Sequence, residues 1–153
     1  MDVFHRIITL LENNNISYEL KEHPPTPTSE DAAKHRNEPL EIGAKALILK
    51  TYKEFVMCIV SGAKKLDSKK LKNILNTKKL RFASREEVIK VSNCIPGSVP
   101  PFGNLFSIKV FIDKSFLKNK FIAFNAGSLT KSIKMKKQDF LSLVKPEIHD
   151  FSQ

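Results

Sequence analysis

The stretch Asn93–Gly103, Asn-Cys-Ile-Pro-Gly-Ser-Val-Pro-Pro-Phe-Gly, most limits what this chain can fold into. It holds three of the chain's eight prolines and two of its five glycines. Proline fixes φ and removes an N–H donor. Glycine opens positive φ and lets another group approach the backbone. A helix is excluded here, and a central strand nearly so. Ile95, Val99 and Phe102 are apolar, so the stretch is no solvated linker. It reads as a stiff, partly buried loop. Such a loop either builds a site or tightly connects a helix to the strand-like run Leu105–Asp113.

Around it, helical and strand periods alternate irregularly. Asp2–Asn13 places Val3, Phe4, Ile7, Ile8, Leu10 and Leu11 on one helical face, with Asp2 as N-cap. Ile16, Tyr18 and Leu20 alternate as in a half-buried strand. The loop Glu22–Pro27 follows, and Thr28-Ser29-Glu30-Asp31 opens a short helix over Ala32–His35. Ala44–Lys50 and Phe55–Ser61 read as central strands buried on both faces, joined by a hairpin turn at Tyr52-Lys53-Glu54. Asp67 caps a helix over Ser68–Leu75, and Ser84-Arg85-Glu86-Glu87 is a capping box for a helix over Arg85–Val91. Lys114–Leu117 reads as a helical turn. Short strands follow at Phe121–Phe124 and Ser132–Met135, split by the polar turn Asn125-Ala126-Gly127-Ser128. A last helix, Lys137–Val144, stops before Pro146. The fold expected is α+β: a single domain over residues 1–153, with one mixed β-sheet flanked by helices.

The chain carries a net charge of +10. That excess points to a polyanionic partner such as nucleic acid, or to solubility under a lysine-rich composition. Between residues 64 and 81 there are eight positive charges against one Asp. Lys64, Lys65, Lys69, Lys70 and Lys72 fall on the outer face of one helix and its approach, and Lys78, Lys79 and Arg81 continue it. This is either a solvated face or a phosphate-facing one, and its density favours phosphate. No apolar run approaches the ~20 residues of a membrane span. Two cysteines make no disulfide framework and suit a reducing cytoplasm.

No metal-ligand spacing, P-loop, dinucleotide fingerprint or nucleophile elbow occurs, so neither metal nor cofactor is expected. Cys94 beside the Pro/Gly loop is a nucleophile or, more simply, a small apolar filler. Lys45 is a charge near the start of an apolar strand. It either snorkels at the strand end or serves a site. An enzyme built on this chain works by positioning and backbone dipoles.

Four stretches in order resemble the YbaK/ProX family, the prolyl-tRNA-synthetase-associated editing domains. They are Glu22-His23-Pro24-Pro25-Thr26, Gly43-Ala44-Lys45-Ala46-Leu47-Ile48-Leu49-Lys50, Gly97-Ser98-Val99-Pro100-Pro101-Phe102-Gly103, and Phe124-Asn125-Ala126-Gly127-Ser128. The closest similarity is to the freestanding YeaK-like branch. The resemblance implies a trans-editing deacylase that hydrolyses a small amino acid from the terminal adenosine of mischarged tRNA, with no metal or covalent enzyme intermediate. It implies catalytic roles for Lys45, Gly97, Ser98 and Pro101. Substrate binding falls to His23, Thr26, Val99, Pro100, Phe102, Gly103, Asn125, Gly127 and Ser128. The lysines at 64, 65, 69, 70 and 72 would meet the acceptor end, with an aminoacyl-tRNA synthetase as a further partner. Alanine-directed members carry a His near the late turn. Asn125 stands there in this chain, so the resemblance implies Ser or Thr ahead of Ala. The alternative is a tRNA-binding module without catalysis.

Overall fold

Capping side chains set the helix starts. In the computed structural model, which describes residues 1–25 and 28–153, Asp2 Oδ1 accepts from the His5 amide at 2.8 Å and opens α1, Val3–Asn13. Thr28 accepts from the Asp31 amide and opens α2, Ser29–Arg36, ahead of the expected start at Ala32. Asp67 accepts from the Lys69 and Lys70 amides and opens α3, Ser68–Leu75. The Ser84–Glu87 capping box forms and opens α4, Arg85–Ser92. The last helix, α5, covers Lys137–Val144 and ends where Lys145 turns left-handed before Pro146.

The strands divide into two sheets where one was expected. β2 (Ala44–Thr51), β3 (Phe55–Ser61), β4 (Leu80–Phe82), β5 (Lys109–Asp113) and β8 (Glu147–His149) form a mixed sheet in the order β4-β2-β3-β5-β8. β1 (Tyr18–Glu22), β6 (Phe121–Asn125) and β7 (Lys131–Lys136) form an antiparallel sheet in the order β1-β7-β6. A parallel bridge from Gly43 to Ala123 joins them. It does not lengthen into a ladder because a 3₁₀ turn, Leu40–Ile42, delivers the chain to β2 at that point. The β2–β3 hairpin closes at the expected turn, with Thr51 N donating to Glu54 O at 2.9 Å. β5 starts later than expected because Gly103–Phe106 is a 3₁₀ turn that ends at left-handed Ser107.

β3 lies mid-sheet, and Val56–Ser61 are all buried. Met57 and Ile59 face the main core, which lies between the two sheets. Ile7 and Leu11 of α1, Phe124 of β6, Ile133 of β7 and Phe140 of α5 fill it. On the opposite face, Val56, Cys58 and Val60 pack under Leu71 of α3 and Phe151 of the C-terminal tail. β2 departs from the expectation of burial on both faces: Ala44–Leu47 are half-buried, because they border a cavity. That cavity lies between the sheets' adjoining ends.

The tail holds in place the loop that Lys45 contacts. Asp113 is buried and accepts from Phe151 N at 2.9 Å and Ser152 Oγ at 2.8 Å. Burial pushes its carboxyl pKa up, but the hydrogen bonds from Ser115, Phe151 and Ser152 outweigh this and leave it below the usual range. Gln153 then exchanges two backbone hydrogen bonds with Lys65, at 2.8 and 3.0 Å. The loop carrying Lys64 and Lys65 is thereby tied to the body of the protein.

Candidate active site

The Pro/Gly loop becomes a rigid corner. Ser98 N donates to Ile95 O at 3.1 Å, closing a four-residue turn with Pro96 second and Gly97 third at φ +90°. Proline then glycine in those places is the signature of a type II turn, in which the third residue needs positive φ. Two hydrogen bonds stitch the corner to the turn after β6. Asn125 Nδ2 donates to Gly97 O at 2.8 Å, and Gly127 N donates to Ser98 O at 3.0 Å. Two segments well apart in sequence thus make one wall.

That wall faces the start of β2 across a cavity of about 190 Å³. Lys45, Gly97, Val99 and Asn125 line it together. Gly43, Ala44, Ala46 and Leu47 supply the β2 side, and Thr28, Ala32 and Arg36 close it from α2 and its cap. Lys45 Nζ donates to the Lys64 carbonyl at 2.9 Å, so the ammonium is aimed by the loop that the tail secures. Burial pushes the Lys45 pKa down; Glu30 opposes that shift and Lys65 adds to it.

The other residues singled out in the sequence take different places. Phe102 is fully buried and packs edge-on to Phe124 and Phe140, with ring centroids 5.4 and 5.5 Å away. Gly103 is buried against β5, where an added Cβ would stand 2.5 Å from Val110 Cγ2. Ser98 is buried, and its hydroxyl donates to Ile95 O at 2.8 Å, which reinforces the turn. Pro100 and Pro101 are buried behind the corner. Gly127 sits at φ +75° against Val3, and Ser128 Oγ pairs with Thr130 Oγ1 at 3.0 Å. His23 approaches Ser132 Oγ at 2.6 Å through Nε2 and the Pro24 carbonyl at 2.8 Å through Nδ1. Thr26 lies outside the described residues. Cys94 is buried, and burial pushes its thiol pKa up, the reverse of what a nucleophile needs.

Of the basic residues, Lys65, Lys69 and Lys70 are exposed, while Lys64 and Lys72 are half-buried. Lys70 is engaged, with Nζ 3.3 Å from Asp150 Oδ1 and 3.0 Å from Ser152 O. Lys64 holds Lys45, and Lys65 is near enough to depress its pKa. The basic face therefore reaches Lys45, which lines the cavity.

Sequence reasoning missed Arg36. It is 6% exposed. Its Nε donates to Ser132 Oγ at 3.0 Å, and its Nη2 donates to Asn125 Oδ1 at 3.1 Å. Burial pushes its pKa down to about 10, with Glu38 opposing, so it stays charged at neutral pH. A chain of hydrogen bonds thus runs from His23 through Ser132, Arg36 and Asn125 to the Gly97 carbonyl.

Comparisons with known proteins agree along the chain. Residues 23–143 match the family model of the aminoacyl-tRNA editing domain. A protein of Escherichia coli strain K12 named multifunctional Ser/Thr-tRNA deacylase ProXp-y is 30% identical, over 95% of this chain and 90% of its own length. The prolyl-tRNA editing protein ProX of Acetoanaerobium sticklandii is 27% identical, over 99% of this chain and 96% of its own length. A crystal structure described as a candidate trans-editing enzyme for prolyl tRNA synthetase superposes with a TM-score of 0.89. It is 22% identical and covers all of this chain and 98% of that one, a likeness of fold.

Proposed function

This chain belongs to the aminoacyl-tRNA editing domain family, and from that premise we propose that it is a trans-editing deacylase acting on mischarged tRNA. Its substrate is the ester joining a small amino acid (Ser, Thr or Ala) to the terminal adenosine. The carrying observation is the shared cavity, which Lys45 and the Gly97 corner line together. An aminoacyl ester is already activated, so water can attack its carbonyl carbon without a protein nucleophile. The bond to the ribose oxygen then breaks, that oxygen takes a proton, and free amino acid leaves.

The residues present supply placement. Lys45 is a compact point charge, aimed by the Lys64 carbonyl, suited to the terminal phosphate or the developing charge on the ester. The Gly97 corner brings backbone against the aminoacyl group without a side chain between them. Its two stitches to the Asn125–Gly127 turn mean that little reorganisation is left for the reaction. The adenosine's neighbouring hydroxyl can assist the attacking water. Proline-stiffened and alanine-lined walls cannot widen cheaply, so they select by size.

Lys64, Lys65 and the lysines along α3 fit the phosphates of the acceptor stem. We take the whole chain as one editing domain. A segment of the proline–tRNA ligase of Fusobacterium nucleatum is 36% identical over 63% of this chain and 17% of that enzyme. That relation supports prolyl-tRNA synthetase as the source of the errors cleared. The test is one tRNA carrying Ser, Thr, Ala, Phe or Leu in turn. Loss of the first three, Ser and Thr ahead of Ala, and survival of the last two is expected. Equal cleavage of all five would refute selection by size, and cleavage of none would refute the deacylase reading.

A further inference from the structure

Asn125 is the polar group that the sequence offers for reading a substrate hydroxyl, but the structure shows its acceptor already occupied. Oδ1 is 3.1 Å from Arg36 Nη2 and 3.1 Å from Ser132 Oγ, and one of the two Nδ2 hydrogens goes to the Gly97 carbonyl. A carbonyl oxygen has two lone pairs, so this one has no acceptor capacity left. Arg36 differs. A guanidinium carries five N–H donors, and its hydrogen bonds within the described residues use Nε and Nη2. Nη1 lies over Gly43, 3.4 Å from where a Cβ would stand, and both residues line the cavity. The group is more than nine-tenths buried. Its side-chain hydrogen bonds go to a hydroxyl and an amide, and no carboxylate pairs with it among the described residues. A buried cation with idle donors is a costly arrangement unless an acceptor arrives.

We infer that Arg36 is the specificity-determining residue of the cavity: its Nη1 edge donates a hydrogen bond to the side-chain hydroxyl of a seryl or threonyl substrate. This rests on the deacylase reading above and adds which atom tells a hydroxylated side chain from a methyl of the same size. The lining beside the guanidinium favours a short neutral group over a phosphate. Small residues, Ala32, Gly43 and Ala44, leave room beside it for only a short group. Nε and Nη2 are held by Ser132 and Asn125, which fixes the orientation of the guanidinium plane and of its Nη1 donors. A fixed donor that loses its partner when the hydroxyl is missing discriminates more sharply than a pocket that only measures volume.

The experiment compares seryl and 2-aminobutyryl esters on one tRNA body. The two side chains have nearly the same volume and differ in hydroxyl against methyl. Wild-type protein should hydrolyse the seryl ester with kcat/KM higher by about 10- to 100-fold, the range for one hydrogen bond to a charged group. Arg36→Met should bring that ratio close to one. Arg36→Lys, which keeps the charge but not the fork, should retain part of it. A merely structural role would lower both rates together and leave the ratio intact, so an unchanged ratio in both variants overturns the inference. The wild-type comparison needs no variant: equal rates on the two esters would overturn it alone, with the deacylase reading intact. Failure of wild-type protein to hydrolyse either ester would refute both.

Discussion

Replacing Lys45 with alanine should separate activity from folding. Lys45 is half-buried. Its Nζ makes a 2.9 Å hydrogen bond to the Lys64 carbonyl and no ion pair among the described residues. Losing that bond costs about 0.5–1.5 kcal/mol, since water in the cavity can take the freed carbonyl. At about 2–4 °C per kcal/mol for a domain of this size, the melting temperature falls by only a few degrees. Removing one preorganised charge from a reacting centre costs about 10²–10³ in rate. The assay is release of labelled serine from seryl-tRNA, alongside a thermal melt of each protein. Burial lowers the Lys45 pKa, so a lysine-dependent step should fade with rising pH before the ordinary lysine value of about 10.4. Binding of a non-hydrolysable seryl-amide analogue reads this out, and Lys45→Ala should abolish the dependence. Wild-type rates in Lys45→Ala, or a collapse in melting temperature to match the lost activity, would refute the reasoning.

Cys94→Ala should keep most activity, because the buried thiol takes no part; lost chemistry in a folded variant, measured by serine release, would reverse that. Arg81 and the Ser84 amide hold the half-buried Glu87 carboxyl down at about 2 against an ordinary 4.5. Its stabilising share is complete above the ordinary value and disappears as pH falls from 4.5 toward 2, so Glu87→Gln should flatten the acid limb of melting temperature against pH. Neutralising Lys65, Lys69 and Lys72 should reduce the slope of log affinity for tRNA against log salt by up to ~0.7–0.9 for each phosphate that is no longer neutralised. Lys70 should matter less, being engaged with Asp150 and Ser152. Filter binding across a salt series checks both.

What local chemistry decides was legible in the sequence. Asp2, Asp67 and the Ser84–Glu87 box cap the helices they should, and Gly97 takes the positive φ that Pro-Gly implies. Lys45, Gly97, Val99 and Asn125, from three of the four motif stretches, line one cavity. What long-range pairing decides was not legible. Arg36 stands in Ala-Lys-His-Arg at a helix end and reads as one more solvated cation; its burial depends on Ser132, far along the chain. Phe102 and Gly103 adjoin the Gly97 corner in sequence, yet the chain turns after Pro101 and sends both into the core. Leu80–Phe82 is hidden in a lysine run, and Glu147–His149 is too short to show a period, so neither edge strand could be read.

Turnover on seryl-tRNA separates an enzyme from a binding module. Protein at one-hundredth the concentration of seryl-tRNA should release all of the serine, at an initial rate proportional to the amount of protein and well above that of buffer alone. Binding that left the ester intact, or shielded it from spontaneous hydrolysis, would identify a tRNA-binding module and contradict the account.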